Sequence, residues 1–272
     1  MAELVAAAGV PHTPVFPALA RGDSEQGRDI AARYAAVSGV LAEADADVVL
    51  VLTCDHINTF FLDAWPTFAV VAADSVTGPS DEVPGVERTE LAAAGAVGKH
   101  LHERLLRQQF DPVLSQHCTV DHSISVPLHF LNPAGLPVVP VFVNGMVGPL
   151  PSAARCRAFG DAIRNAVADL PPMRVAVVAS GSFSLEVGGP RMDRGKLYGI
   201  PDPGWAARVS EHLAAGRLDQ LADEATTAQI ERAGSVSGEL LPWIAMAEAA
   251  RDLPLSVLDH RPGEGHAFAA WS

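Results

Sequence analysis

Apolar and polar positions follow two different spacings along this chain, one typical of buried strands and the other of amphipathic helices. Short runs rich in β-branched residues are bounded by glycine, proline or polar residues, which predicts strands. These runs are Leu4 to Val10, Val48 to Thr53, Phe68 to Ala73, Val113 to Ser115, Val138 to Phe142 and Val175 to Ala179. The longer segments between them predict helices over Ile30 to Ala44, Glu87 to Arg107, Ser152 to Leu170 and Trp205 to Ala214.

Strands that are apolar on both faces and alternate with helices indicate a sheet that is covered on both sides. We therefore predict an α/β fold with a mainly parallel or mixed central sheet flanked by helices. The pattern is helical from Trp205 to Arg251, which predicts a helical C-terminal subregion. We expect residues 1–272 to form a single domain. Gly78 to Gly85 and Glu186 to Gly204 are rich in glycine, proline and charge, and are candidate active-site loops.

The composition indicates a globular protein and excludes several other classes. Of the 272 residues, 49% are hydrophobic and 19% charged, so the chain can bury enough apolar surface to offset its ordering entropy. The net charge of −13 gives nucleic acids and anionic membranes no electrostatic reason to bind. Cys54, Cys118 and Cys156 lie far apart, which argues against a disulfide framework and a thiolate zinc site. We find no signal peptide and no transmembrane run, and expect a cytoplasmic protein.

Histidines follow several of the predicted strands. His12 follows the first strand, His56 the second, and His117 and His122 the fourth. A lone histidine after a strand is usually structural, but ligands of α/β sheets bind at the carboxyl ends of strands, so several histidines there favour a site. Three others lie on predicted helices and are expected to face solvent, namely His100, His102 and His212.

These imidazoles would form a metal site if a carboxylate joined them. Neutral imidazoles, one carboxylate and open coordination positions suit non-haem Fe(II) that must also bind substrate and dioxygen, although zinc could use the same ligands. The candidate carboxylate is Glu239, at the start of an apolar helix, where a charge is costly unless it is paired or bound to a metal. Alternatively, Glu239 is a first-turn acid that faces the helix dipole. The residues alone leave both interpretations open.

Five segments resemble, in order and spacing, motifs of the class III extradiol ring-cleaving dioxygenases, the superfamily of the protocatechuate 4,5-dioxygenase β subunit. They are GVPHTP, DHINTFFLDAWPTF, VDHSISVPLHFL, SGSFSLEVGGPR and AGSVSGELLPW. The resemblance implies an oxidoreductase that uses Fe(II) to insert both atoms of dioxygen into a catechol-like or aminophenol-like ring. It implies that His12, His56 and Glu239 hold the metal and that His122 lies in the substrate pocket as a catalytic residue. The alternative for His122 is a structural histidine bonded to a loop carbonyl, and His117 and His129 match no family position.

One position departs from the family pattern. Aligning SGSFSLEVGGPR on the family motif places Leu185 where the catalytic acid/base histidine belongs, which implies an atypical substrate or reaction. Glu186 could replace that histidine, but adjacent side chains generally point in different directions. Arg191 could bind a substrate carboxylate or form a loop salt bridge. Thr13, Asn58 and Phe61 are expected to shape the pocket wall.

Two other functions remain open on the sequence. The chain could be a non-catalytic or structural subunit of a dioxygenase complex, which would consume no dioxygen. It could also be a metal-dependent hydrolase on the same scaffold, which would prefer zinc. The resemblance implies a small aromatic substrate, dioxygen, and either a homo-oligomer or a complex with a small partner subunit, while the charge predicts no nucleic-acid or membrane partner.

Overall fold

A large mixed sheet with helices on both faces forms the centre of the protein. The computed structural model describes residues 1–189, 191–192 and 198–272. Within these residues the strands are β1 (Glu3–Val10), β2 (Val48–Thr53), β3 (Phe68–Val71), β4 (Ser75–Gly78), β5 (Thr89–Ala92), β6 (Val113–Ser115), β7 (Val138–Val143), β8 (Arg174–Ser180), β9 (Leu255–Asp259) and β10 (Phe268–Trp271). The helices are α1 (Phe16–Ala20), α2 (Glu25–Glu43), α3 (Gly95–Arg107), α4 (His122–Leu131), α5 (Ala153–Ala168), α6 (Pro203–Ala214), α7 (Leu218–Glu224), α8 (Thr227–Ala233) and α9 (Leu240–Ala249), and a 3-10 turn covers Ser237–Glu239.

The order of strands across the main sheet is β6-β3-β7-β2-β8-β1-β10-β9, and β4 and β5 form a separate hairpin. The four central strands, β7, β2, β8 and β1, are parallel, so their carboxyl ends lie at one edge of the sheet. The outer strands β3 and β10 are antiparallel to this central group. These pairings confirm the predicted α/β fold with a mixed central sheet.

The central strands are buried because each of their faces packs against helices. Leu50 and Leu52 of β2 join the apolar cluster formed with α3, α5 and the C-terminal helices. Val49 and Val51 point the other way and join the cluster formed with α1, α2 and α4. This alternation follows from the two-residue period of a strand, and it explains why the middle of each central strand is apolar on both faces. The predicted helical C-terminal subregion, α6 to α9, belongs to the first cluster.

Two predictions about the helices are wrong. The helix predicted over Glu87 to Arg107 begins only at Gly95, because Thr89–Ala92 pairs with β4 as an antiparallel strand. His212 does not face solvent, since its ring is 6% exposed and its Nε2 lies 3.1 Å from Oε1 of Glu224. His100 and His102 are half-buried, because each ring is hydrogen-bonded to the carbonyl of a neighbouring segment.

The cysteines and the lengths of the helices are relevant to two classes that the sequence argues against, disulfide-stabilised proteins and membrane-spanning proteins. Cys54, Cys118 and Cys156 are buried free thiols. Across the described residues, no helix combines the length and the hydrophobicity needed to cross a membrane.

Candidate active site

Two imidazoles and one carboxylate meet beyond the carboxyl ends of the central parallel strands. His12 follows the end of β1, and His56 follows the end of β2. Glu239 ends the 3-10 turn that leads into α9. Its Oε1 lies 3.1 Å from Nε2 of His12 and 3.2 Å from Nε2 of His56. The structure therefore brings the three predicted metal ligands together.

Close packing of α9 on the sheet sets the position of Glu239. Trp243 of α9 lies directly over Gly9, where an added Cβ would come within 2.1 Å of the indole ring. The indole Nε1 donates a hydrogen bond of 3.2 Å to the carbonyl of Gly181. Gly181 has a φ of +144°, and a Cβ there would lie 2.5 Å from Cβ of Glu239. Two glycines thus allow the glutamate to approach the strand ends.

Hydrogen bonds donated by the Nδ1 atoms orient both imidazoles towards Glu239. Nδ1 of His12 lies 3.0 Å from Oγ of Ser180, whose hydroxyl donates to the carbonyl of Ser123 at 2.6 Å. Because that hydroxyl proton is already used, Oγ accepts from His12, and Nε2 of the neutral ring keeps a free lone pair. Nδ1 of His56 lies 3.1 Å from Oδ2 of the Asp121 carboxylate, which accepts its proton and turns Nε2 of that ring towards Glu239. Such partners fix the tautomer and orientation of metal-binding histidines.

Asp121 couples the His56 loop to the start of α4. Its Oδ2 also accepts the His56 backbone N–H at 3.0 Å. Its Oδ1 caps α4 by accepting from the backbone N–H of Ser123 at 2.9 Å and from its hydroxyl at 2.6 Å. A single buried carboxylate therefore positions His56 and also the first helical residue, His122.

His122 lies beside the two predicted histidine ligands. Its ring centroid is 4.3 Å from that of His56 and 5.2 Å from that of His12. Its backbone N–H donates to Oδ1 of Asp81 at 2.9 Å, and its Nδ1 is hydrogen-bonded to Oδ2 of the same residue. The partner of this ring is therefore a carboxylate, not a loop carbonyl. Asp81 belongs to Gly78 to Gly85, the first candidate active-site loop.

Burial and mutual attraction shift the pKa values of the ligand set. Burial alone would raise the pKa of Glu239, but His12 and His56 hold it well below its usual value. Burial would lower the pKa of His56, yet Asp121 and Glu239 together raise it to about 10. For His12 burial prevails and lowers the pKa. Without a metal, His56 therefore holds a proton between two carboxylates.

The donor set fits a divalent metal ion. Two imidazole nitrogens and a buried, ionised carboxylate oxygen face one another, and an ion between them would replace the His56 proton as the compensating charge. Nitrogen and oxygen donors of this kind suit Fe(II) or zinc. Cys54 Sγ also lies within 4.8 Å of ligand atoms of His56 and Glu239.

A cavity of about 500 Å³ opens onto these groups. His12, His56, His122 and Glu239 line it on one side. Thr13 and Leu185 also line it, where the sequence predicts them to be. Val187 and Tyr198, from the second candidate loop, complete part of the wall, whereas Pro190 and residues 193–197 of that loop lie outside the described residues.

Three residues predicted at the substrate pocket are placed elsewhere. The amide of Asn58 is bonded to Oδ2 of Asp121 at 3.3 Å, so this residue supports the His56 loop and not the cavity wall. Phe61 is 59% exposed and is not part of the cavity lining. Arg191 donates to Oε2 of Glu186 at 2.6 Å, which is the loop salt bridge. Glu186 is buried and used in that pair, so it does not replace the missing histidine.

The other histidines near the motifs stay outside the site. His117 is exposed, because β6 runs antiparallel to the central strands and ends at the opposite edge of the sheet. His129 is also exposed, at the end of α4. Sequence reasoning missed Asp81 and Asp121. Asp121 directly precedes His122 in the VDH motif, which could have identified it. Asp81 lies in a loop that the sequence singles out, but nothing in the local sequence pairs it with His122.

Comparisons with known proteins show the family and the fold of the chain. Residues 6–261 match the family described as the catalytic LigB subunit of aromatic ring-opening dioxygenase. A 2,3-dihydroxyphenylpropionate/2,3-dihydroxicinnamic acid 1,2-dioxygenase of Paraburkholderia xenovorans (strain LB400) is 33% identical over 186 residues, which are 68% of this chain and 54% of that protein. The similarly named protein of Comamonas testosteroni is 29% identical over 209 residues, 74% of this chain and 60% of that one.

The chain spans about half the length of the curated relatives it matches. Among solved structures, the uncharacterized protein JW3007 from Escherichia coli K12 has the same fold, with a TM-score of 0.59, 16% identity and 98% coverage of both chains. The family match covers nearly the whole chain and includes every segment that carries the site. The chain therefore belongs to the family of catalytic LigB subunits of aromatic ring-opening dioxygenases.

Proposed function

We propose that this protein is an Fe(II)-dependent extradiol-type dioxygenase that cleaves the ring of a catechol-like or aminophenol-like substrate. The observation that carries the proposal is the convergence of Nε2 of His12 and Nε2 of His56 on Oε1 of Glu239, at 3.1 and 3.2 Å, in the wall of a cavity. The named relatives act on rings with two neighbouring hydroxyl groups, which supports a substrate of the same kind.

His12, His56 and Glu239 would hold the iron. Two imidazoles and one carboxylate leave coordination positions open, as an oxygenase site requires. Bound Fe(II) would supply the redox chemistry with dioxygen and a Lewis acid for the oxygen atoms of the substrate. Because the Nδ1 atoms of both imidazoles are engaged by Ser180 and Asp121, their Nε2 atoms are available to the metal.

His122 would handle protons beside the metal. Its Nδ1 is held by Asp81, so Nε2 is the ring atom left to accept a proton from a substrate hydroxyl group. The carboxylate of Asp81 would stabilise the resulting imidazolium. Leu185 cannot hold a proton, and His122 is the imidazole in the described cavity lining that is not assigned to the metal. We therefore propose that His122 both accepts the substrate proton and later returns one.

Iron content tests the ligand set. His12→Ala, His56→Ala and Glu239→Ala should each bring iron to background after anaerobic loading. His117→Ala removes a histidine that also follows a strand but lies exposed outside the site, so it should keep full iron. Circular dichroism shows whether each variant is folded. Full iron in any folded ligand variant would contradict the assignment.

Oxygen uptake tests the reaction. The iron-loaded protein should consume dioxygen when catechols or aminophenols are added, and should form a ring-opened conjugated acid that absorbs in the near-ultraviolet or visible. A zinc-loaded protein that converts substrate without dioxygen would instead identify a hydrolase. Iron binding without any turnover across the panel would identify a non-catalytic subunit.

A further inference from the structure

Apart from the four proposed site residues, the lining of the cavity is mostly apolar. The apolar wall is formed by Pro14, Val15, Met146, Leu185, Val187 and Val236. Thr13, Ser182 and Tyr198 add hydroxyl groups, which can form hydrogen bonds but carry no charge. A substrate substituent that lies against this wall therefore gains free energy by burying apolar surface.

No described lysine or arginine lines this cavity. In the loop that carries Leu185 and Val187, Arg191 is the basic residue that the structure describes, and its hydrogen bonds to the described residues use its guanidinium outside the cavity lining. Its guanidinium donates to Glu186 Oε2 at 2.6 Å and to the carbonyls of Glu231 and Arg232 at 3.0 and 2.7 Å. A carboxylate against the apolar wall would thus lose hydration without gaining a cationic partner from the described lining residues.

The cavity is also larger than a single ring requires. Its volume of about 500 Å³ lies within the range of pockets that enclose drug-sized ligands. A substrate with one ring and no substituent would leave much of the wall in contact with water. A branched alkyl chain or a second ring would cover it.

We infer that the substrate carries a bulky, uncharged, apolar substituent, and that the cavity discriminates against catechols with a carboxylate side chain. This inference rests on the proposed function, because the proposed function places the ring hydroxyl groups at the metal. The apolar lining residues are then left to contact the rest of the ring and its substituent.

A pair of probes with the same shape isolates the effect of charge. In 3-(3-methylbutyl)catechol the side chain has the same heavy-atom skeleton as in 3-(2-carboxyethyl)catechol, but it is neutral. The iron-loaded protein should bind the neutral probe between about tenfold and a hundredfold more tightly, the penalty expected for a buried group without its partner. Calorimetry under anaerobic conditions measures Kd, and oxygen uptake measures kcat/KM for the same pair. The volume argument further predicts a higher kcat/KM for 3-phenylcatechol than for catechol.

Substitutions at Val187, which is 50% exposed in the cavity wall, test the assignment from the protein side. Val187→Lys adds a cation and should reduce the preference for the neutral probe several-fold, as a partly exposed ion pair would. Val187→Met, of similar length and no charge, should not reduce it. The double variant Arg194→Ala/Lys196→Ala removes the basic side chains of the segment outside the described residues, and the preference should be unchanged.

The possible results distinguish a failure of this inference from a failure of the proposed function. Equal or tighter binding of the carboxylate probe by the wild-type protein overturns the inference, whatever the turnover. Loss of the preference in Val187→Met overturns the role of charge. If no probe supports oxygen uptake but calorimetry shows the predicted preference, the proposed function fails and the description of the cavity stands.

Discussion

Asp121→Asn is the most informative substitution outside the metal ligands. The Asp121 carboxylate is buried and accepts five hydrogen bonds, two from His56, two from Ser123 and one from Asn58. An asparagine side chain has the same shape, but its amide nitrogen donates and cannot accept. Whichever way the amide turns, either the His56 donors or the Ser123 donors face another donor.

The contacts set the size of the effect. Each buried donor without an acceptor costs about 1–3 kcal/mol. Because the substitution also leaves the His56 imidazolium of the metal-free protein without its partner, the total loss of unfolding free energy should be about 3–5 kcal/mol. A partner that orients a metal-binding histidine typically accounts for about 10- to 100-fold in metal affinity. We therefore expect a folded but weakened protein with a correspondingly higher Kd for iron.

Asp55→Asn is the matched control. Asp55 is also buried in this loop, but it accepts from the backbone N–H groups of Thr59 and Phe60 at 2.9 and 3.0 Å, and its hydrogen-bond partners among the described residues include no imidazole. It should lower stability while changing iron affinity less than Asp121→Asn does. Urea unfolding of the metal-free proteins gives the stability, and anaerobic iron titration gives the affinity.

Two results would refute this reasoning. If Asp121→Asn were as stable as the wild-type protein, the hydrogen bonds described for its carboxylate would not exist in solution. If both variants lost iron affinity equally, the effect would come from the loop as a whole and not from the orientation of His56.

Four further predictions address the site. His122→Ala should keep its iron but lose turnover by about 10²-fold or more, and unchanged oxygen uptake would reduce His122 to a structural residue. Leu185→His should raise kcat/KM for unsubstituted catechol and protocatechuate and lower it for apolar-substituted catechols, and no change in either would show that position 185 does not face the substrate. Gly181→Ala should abolish iron binding or the fold, since its Cβ would lie 2.5 Å from Cβ of Glu239 at a φ of +144°, and full iron occupancy would contradict the described packing. The pKa of His56 is raised to about 10, so protonated His56 contributes to the stability of the metal-free protein fully below the unfolded pKa of about 6.5. The free energy of unfolding should therefore fall as the pH rises through 10, while iron affinity increases because the metal no longer competes with the His56 proton. A stability and an iron affinity that do not change with pH would contradict this assignment.

The elements of the fold that were predicted correctly are those whose burial is visible in their own sequence. The run Val48–Thr53 is apolar at every position before Thr53 because helices cover both faces of β2, and that signal is local. Leu255–Asp259 was not predicted, because it is an edge strand with mostly half-buried residues. Helix α4 was also missed, since Pro127 interrupts its sequence pattern. The pairing and burial of such elements are set by segments distant in the chain, so the local sequence does not predict them.

In the candidate site, too, some residues could be predicted from the local sequence and others could not. His12 and His56 could be predicted because each follows a strand whose direction the parallel sheet fixes. His117 was placed wrongly at the same edge, because the sequence does not show that β6 runs the other way. Asp81 lies 41 residues from His122 in sequence, so no local pattern could pair them.

Isotope labelling tests the central claim most directly. The iron-loaded protein is allowed to react with an apolar-substituted catechol under ¹⁸O₂, and the ring-opened product is analysed by mass spectrometry. The proposed function predicts that both atoms of one dioxygen molecule enter the product, and that labelled product is absent with Glu239→Ala. A product formed without label, or labelled product formed equally by that variant, would contradict it.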